Sequence, residues 1–324
     1  MIHAGRHFLQ IPGPTNVPER ILQAMNRSVI DHRGPEFAKL AKEVLENVKL
    51  VFRTRGPVVI YPASGSGGWE ASIVNTLSPG DHVVMFETGH FSQLWRQVAE
   101  RFGLQVNYLP GNWRSGANPR DLEVRLESDR QHQIKAVMVV HNETSTGATS
   151  SIADVRRVLN QAKHPALLMV DSISSLASID YRHDEWEVDV TIAGSQKGLM
   201  LPPGLGMNAI SERALAASKQ AKIPRSYWNW QDMLQQPGRF LPVHSGHNPA
   251  LWTARSADHA ARGRVAQCIS PAYPSRRSHT CGGESLGTGN CLREPQGILE
   301  FHDCGVHAAG PQRGRTAQGH SGEL

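Results

Sequence analysis

The first 238 of the 324 residues contain no cysteine. All four cysteines (Cys268, Cys281, Cys291, Cys304) come later, with 12, 9 and 12 residues between neighbours. No close pair sets up a zinc ribbon or finger, and the histidines complete no ligand pattern, so no metal is expected. A disulfide framework needs an oxidising compartment. The start, Met1-Ile2-His3-Ala4-Gly5-Arg6-His7, has no basic stretch followed by an apolar one, so no secretory leader is expected. No apolar run approaches about 18 residues, so no helical membrane span or membrane partner is expected. Charge of one sign is nowhere concentrated. The net charge is +5, with 19% charged residues and no block of like charge, so no nucleic-acid partner is expected either. A cytoplasmic location is expected from these absences alone.

The composition breaks at Gly238. Beyond it lie 9 Arg, no Lys, 12 of the 30 glycines and 7 of the 16 histidines. Ile, Leu, Val, Met and Phe fall to roughly 15% there, below what a segment needs to build its own core. Residues 1–238 are expected to form one α/β domain, and 239–324 an irregular tail.

Within the first part, short apolar runs alternate with amphipathic stretches. The runs are Val58–Tyr61, His82–Phe86, Ala136–Val140, Ala166–Val170 and Val188–Ile192, with a weaker sixth at Leu205–Ile210. Helices are expected over Pro35–Phe52, Trp69–Leu77, Ser92–Phe102, Pro119–Leu126 and Ile152–Gln161. Apolar runs of this kind suit strands buried on both faces, and the alternation suits a mostly parallel sheet between helices. Ligands of such sheets bind beyond the carboxyl ends of the strands.

The residues at those ends carry the chemistry. After the first run comes Ser64-Gly65-Ser66-Gly67-Gly68 and a helix start. Free N–H groups and the Ser66 hydroxyl would make an anion site there, though the same letters also fit a flexible turn. The spacing is neither Walker A nor the dinucleotide fingerprint, which argues against an NTPase or a dehydrogenase. Phe91 follows the second run and can stack on a flat ring or pack in the core. His141–Gly147 forms a dense polar cluster. Asp171 ends a buried strand and stays ionised only beside a cation or strong donors; a helix cap is the other reading. Lys197 sits among glycines and apolar residues just past a buried strand. Desolvation there would lower its pKa and favour Schiff-base chemistry, against the usual reading of a surface lysine.

Anion cup, aromatic, aspartate and lysine are together what pyridoxal 5'-phosphate needs. At this point the sequence resembles the class V aminotransferases of the fold-type I pyridoxal-phosphate enzymes, in the serine–glyoxylate and alanine–glyoxylate branch. The resemblance runs from about Pro12 to about Leu234. It is carried by Pro12–Pro18, His32–Phe37, the Ser64–Gly68 cup, Asn142–Gly147, Val170–Leu176 and Gly194–Gly198. It implies that Lys197 binds the cofactor aldehyde and then moves the proton at the substrate α-carbon. It implies Asp171 at the ring nitrogen, and Ser66, Gly67, Gly68 and Gln196 on the phosphate. Phe91 would lie on the ring face and Thr144 near the ring hydroxyl. The implied reaction passes the amine of serine or alanine to glyoxylate, the partners being an amino acid and a 2-oxo acid. Family members are homodimers. A lyase or cysteine desulfurase is disfavoured, because the latter needs a nucleophilic cysteine and usually shows histidine where Gln196 stands.

Near Gln236 the resemblance stops. Val243-His244-Ser245-Gly246-His247 stands where relatives have a Tyr-Thr-Pro-type motif, and no arginine of the tail, Arg293 included, matches a substrate-carboxylate ligand. The small C-terminal domain of relatives is therefore expected to be absent or replaced. Our hypothesis is that the tail is a shifted reading frame, on the grounds of its lost apolar periodicity and missing lysine. If no other frame from codon 238 restores a periodic domain, the hypothesis is wrong. A genuine divergent tail is the competing reading, and a non-catalytic remnant that keeps the fold is the alternative function.

Overall fold

The structure, a computed structural model, describes residues 8–235. The tail expected over 239–324, and the proposed frame shift within it, lie outside the described residues. In chain order the elements are α1 (Glu19–Met25), α2 (Pro35–Phe52), β1 (Val58–Pro62), α3 (Gly65–Thr76), β2 (His82–Phe86), α4 (His90–Arg101) and β3 (Gln105–Leu109). They continue with α5 (Pro119–Ser128), β4 (Ile134–Val140), α6 (Ile152–Gln161), β5 (Leu167–Asp171), β6 (Val190–Gly194), β7 (Leu205–Ile210), α7 (Glu212–Ser218) and α8 (Trp230–Gln235).

The seven strands form one sheet in the order β1-β7-β6-β5-β4-β2-β3. Every pair from β6 to β3 is parallel; β7 alone runs the other way, against both β6 and β1. Two reversals make β1 parallel to β6. The carboxyl ends of β1, β2, β4, β5 and β6 therefore share one edge of the sheet.

Alternation along each strand sorts the core into two layers. Val84, Val137, Val139, Leu168 and Val170 face one cluster, with α2, α5 and α6 supplying Val48, Phe52, Leu122 and Val155. Val83, Met85, Met138 and Met169 face the other, with α3, α4 and α8 supplying Trp69, Ile73, Trp95 and Trp230. Both faces are covered, so β5, β6 and β7 are buried throughout. This is the expected mostly parallel sheet between helices. Among the described residues no helix is long and apolar enough to cross a membrane.

Several bounds differ from expectation by one or two residues, and three differences have a clear cause. β3 (Gln-Val-Asn-Tyr-Leu) lies at the sheet edge and is only partly buried, so it has no continuous apolar run to mark it. α3 starts at Gly65, not Trp69, because the glycines themselves form the first helical turn. β6 starts at Val190, two residues late, because the Asp189 carboxylate turns to accept the Leu168 N–H at 2.8 Å.

Candidate active site

The shared edge collects the residues singled out in the sequence. β1 leads through Ser64 into α3, and no side chain caps that helix. The first N–H groups of a helix have no intrahelical partner, so this uncapped turn offers donors to an anion. Gly67 and Gly68 are required by space. A Cβ on Gly67 would stand 2.8 Å from Ala63 Cβ and from the Trp228 ring; one on Gly68 would stand 2.8 Å from Ile192. Ser66 is exposed at the mouth of the turn. Gln196 lies alongside, since a Cβ on Gly194 would be 3.0 Å from Gln196 Oε1 and 3.5 Å from the Gly65 nitrogen. Gln196 Oε1, an acceptor, is buried without a partner beside those helical N–H groups; only the amide nitrogen of this side chain could donate to an anion.

Asp171 is the last residue of β5 and is 4% exposed. Its Oδ1 accepts from the Ile173 N–H at 2.8 Å, and its Oδ2 from the Trp69 indole at 2.9 Å. Burial pushes its pKa up to about 7, while these two donors and the Lys197 ammonium pull it back. The Oδ1 bond is of the kind a cap makes, but no helix follows Asp171 before β6. Asp171 is a buried acid whose remaining lone pairs favour a cation.

Lys197 follows β6 in a tight loop. Ser195 closes it: its N–H bonds the Leu205 carbonyl at 3.0 Å and its hydroxyl the Pro202 carbonyl at 2.7 Å. Lys197 is half-buried, not a surface lysine. Burial lowers its pKa, and the nearby Asp171 charge opposes that shift. Its Nζ donates to the Pro12 carbonyl at 3.0 Å. Thr15 straps the same loop, its N–H reaching the Gln196 carbonyl at 3.0 Å and its hydroxyl the Lys197 carbonyl at 3.2 Å. The Pro12–Thr15 segment is thus one wall of the site.

Phe91 and Thr144 come from the other side. Phe91 is in the first turn of α4, half-buried, and packs against the cluster that holds Trp69 and Trp95. Thr144 is half-buried in the loop after β4. Between them lies Glu143, fully buried. Its carboxylate accepts from the Phe91 N–H (3.2 Å), the Ser92 N–H (3.0 Å) and the Ser145 hydroxyl (2.7 Å). Glu143 thereby ties the start of α4 to the Thr144 loop.

The structure brings Asp171, Lys197, Gln196 and the Ser66–Gly68 turn together. Phe91 and Thr144 flank that group, with Glu143 joining their segments. Sequence reasoning overlooked Glu143, Trp69 and Thr15. Glu143 was visible only as one letter of a polar cluster, although an acid just past a five-residue apolar run invites the same question as Asp171. Trp69 reads as a helix opener, and its indole partner lies 102 residues away.

A sequence profile described as aminotransferase class-V matches residues 7–227. A serine–glyoxylate aminotransferase of Methylorubrum extorquens is 45% identical over 260 residues, covering 78% of this chain and 64% of that protein. An L-aspartate–glyoxylate aminotransferase of Paracoccus denitrificans is 46% identical over 224 residues, covering 69% of this chain and 57% of that protein. The crystal structure of an alanine–glyoxylate aminotransferase from Nostoc superposes with a TM-score of 0.69 at 28% identity, covering 83% of this chain and 71% of the other. The chain thus spans about three fifths of the length of the curated relatives it matches. The first match takes in more of the chain than residues 1–238 contain, so similarity continues past Gln236, where it was expected to stop. With the profile covering most of its length, the chain belongs to the class-V aminotransferase family.

Proposed function

We propose that this protein binds pyridoxal 5'-phosphate and transfers an amine from a small amino acid, serine first, to glyoxylate. The observation that carries this reading is the pairing of Lys197 and Asp171. Each sits at the carboxyl end of one of two adjacent strands, each shifts the other's pKa, and both lie beside an uncapped helix start. Glyoxylate is the acceptor in the printed names of the relatives above. Their amino donors differ, serine in one and aspartate in another.

The residues fit the cofactor. The Gly65–Gly68 turn and the Ser66 hydroxyl suit its phosphate, and Gln196 would join them through its amide N–H groups. Asp171 suits a protonated ring nitrogen, which would draw its raised pKa back down. Phe91 is the aromatic offered to the ring face, and Thr144 the hydroxyl offered near the ring oxygen. When bound, the cofactor supplies an aldehyde and an electron-withdrawing ring. Lys197 is the amine this chain offers to that aldehyde. Burial favours its neutral, nucleophilic form, and Pro12 holds it through Nζ. Once released from the aldehyde, the same nitrogen is the base for the α-carbon proton of the amino acid. A homodimer, as in the family, would complete the site.

The test is the visible absorption spectrum of the full chain with added pyridoxal phosphate. A Schiff-base band should form, disappear in Lys197→Ala, bleach with serine and return with glyoxylate. Bleaching by aspartate or alanine and not by serine would reassign the donor. No band in folded protein would favour the non-catalytic reading.

A further inference from the structure

We infer that Trp69 is a positioning residue for the ring-nitrogen end of the cofactor, acting through Asp171. Its indole N–H pins Oδ2, fixes the plane of the carboxylate and ties that acid to the helix that carries the anion-binding turn. This rests on the cofactor assignment proposed above.

Four observations carry it. First, the bond is direct and buried: 2.9 Å between Nε1 and Oδ2, with both residues 4% exposed. A hydrogen bond to a charged group in a low-dielectric interior is stronger than one at the surface. Second, the indole N–H is donor only, and an ionised carboxylate is acceptor only. The pairing therefore selects the ionised form of Asp171, the form a cationic ring nitrogen needs. It acts in the same direction as the Ile173 N–H on the other oxygen.

Third, the indole is buried and packed against a second ring. Its ring stacks on Trp95 at a centroid distance of 6.0 Å and 16° between planes. Fourth, Trp69 stands one turn along α3 from Gly65, about 6 Å of helical rise. One rigid helix thus presents donors to the phosphate at its start and steadies the acid one turn later. A tryptophan kept only to fill the core would be matched by phenylalanine. The buried donor is what phenylalanine cannot supply.

The experiment compares two probes on the full chain by equilibrium dialysis: pyridoxal phosphate, and its 1-deaza analogue, in which a C–H replaces the ring nitrogen. Trp69→Phe should weaken pyridoxal phosphate about tenfold, the size of one charge-assisted hydrogen bond. It should leave the analogue within about twofold, because no ring nitrogen remains to be positioned. In an Asp171→Asn background the same substitution should change neither. Equal weakening of both probes, or of neither, overturns the inference and leaves Trp69 a packing residue. A second measurement covers a variant that does not fold. With nitrogen-15 tryptophan in the otherwise unaltered chain, one indole N–H signal should move on Asp171→Asn; if none moves, the inference fails. The cofactor reading has its own control. If borohydride traps no pyridoxyl group on Lys197 of the unaltered protein, that reading falls and takes this inference with it. A trapped group with unselective Trp69→Phe loss overturns this inference alone.

Discussion

Lys197 Nζ lies 3.0 Å from the carbonyl oxygen of Pro12, a residue 185 positions earlier in the chain. The next residue, Gly13, has φ +144°, and a Cβ there would stand 2.6 Å from both Cδ and Nζ of the lysine. Gly13→Ala is therefore expected to push the amine aside. Misplacement of a reacting group by about 1 Å costs on the order of a hundredfold in rate. Serine-dependent turnover should fall by about that factor, and the urea midpoint should also drop, since alanine at this φ is strained by about 1–3 kcal/mol. A variant with unimpaired turnover would show that the lysine does not depend on this wall.

Glu143 should matter to stability as well as to the site. Its removal leaves the N–H groups of Phe91 and Ser92 without their acceptor. An unsatisfied buried donor costs about 1–3 kcal/mol, so Glu143→Ala should lose about 3 kcal/mol in urea unfolding. Glu143→Gln keeps one acceptor oxygen and should lose less. Pyridoxal phosphate affinity should fall in the same order, because the start of α4 carries Phe91.

Acid sensitivity has opposing contributors. Burial holds His141 and His183 down at about 4, so both are neutral when folded and free to charge when unfolded. The unfolded chain then binds more protons, and stability falls as pH drops from about 6.5 to about 4. The loss is about 3 kcal/mol for each histidine. Asp171, raised to about 7, works the other way: the folded chain binds the proton first, which adds stability as pH falls from about 7 towards 4. Urea midpoints across this range should drop less steeply in His183→Gln than in the unaltered chain. They should drop more steeply in Asp171→Asn.

At the amino ends of the same strands, Asp189 is a structural counterpart of Asp171. It accepts from Arg156 at 3.0 Å, Arg213 at 3.2 Å, the Leu168 N–H at 2.8 Å and the Ser211 hydroxyl at 2.8 Å. Arg156 is itself buried. Asp189→Ala leaves that guanidinium without its buried partner, a change worth about 3–5 kcal/mol. Thermal unfolding should show the loss. Cofactor affinity of the remaining folded protein should stay as it was, since the opposite edge of the sheet is untouched.

The fold was legible wherever a clear apolar pattern runs along an element. His82–Phe86, Leu205–Ile210, Pro35–Phe52 and Ile152–Gln161 have the bounds their apolar patterns predict. The partly buried edge strand Gln105–Leu109 and the short helices α1, α7 and α8 escaped, because little apolar periodicity marks them. In the candidate site, the placement of Asp171 and Lys197 at the carboxyl edge was legible because each follows a buried apolar run with no opposite charge next to it in sequence. Trp69 and Glu143 could not, because their meaning lies in bonds that cross 102 and about 52 residues of sequence.

The antiparallel strand β7 has a consequence for how the protein comes into being. Among the described residues β1 pairs with β7 alone, and β7 also pairs with β6. The first strand made is therefore joined to the sheet by the last. On a ribosome, a chain that has reached Lys197 already holds the acid and the amine, yet its anion-binding turn hangs on a strand with no neighbour. Only the synthesis of Leu205–Ile210 closes the loop, at the entropic cost of a contact spanning nearly the whole domain. On the proposed assignment of the phosphate to Ser66–Gly68, a nascent chain that holds the anion has already placed β7, the last strand of the described residues.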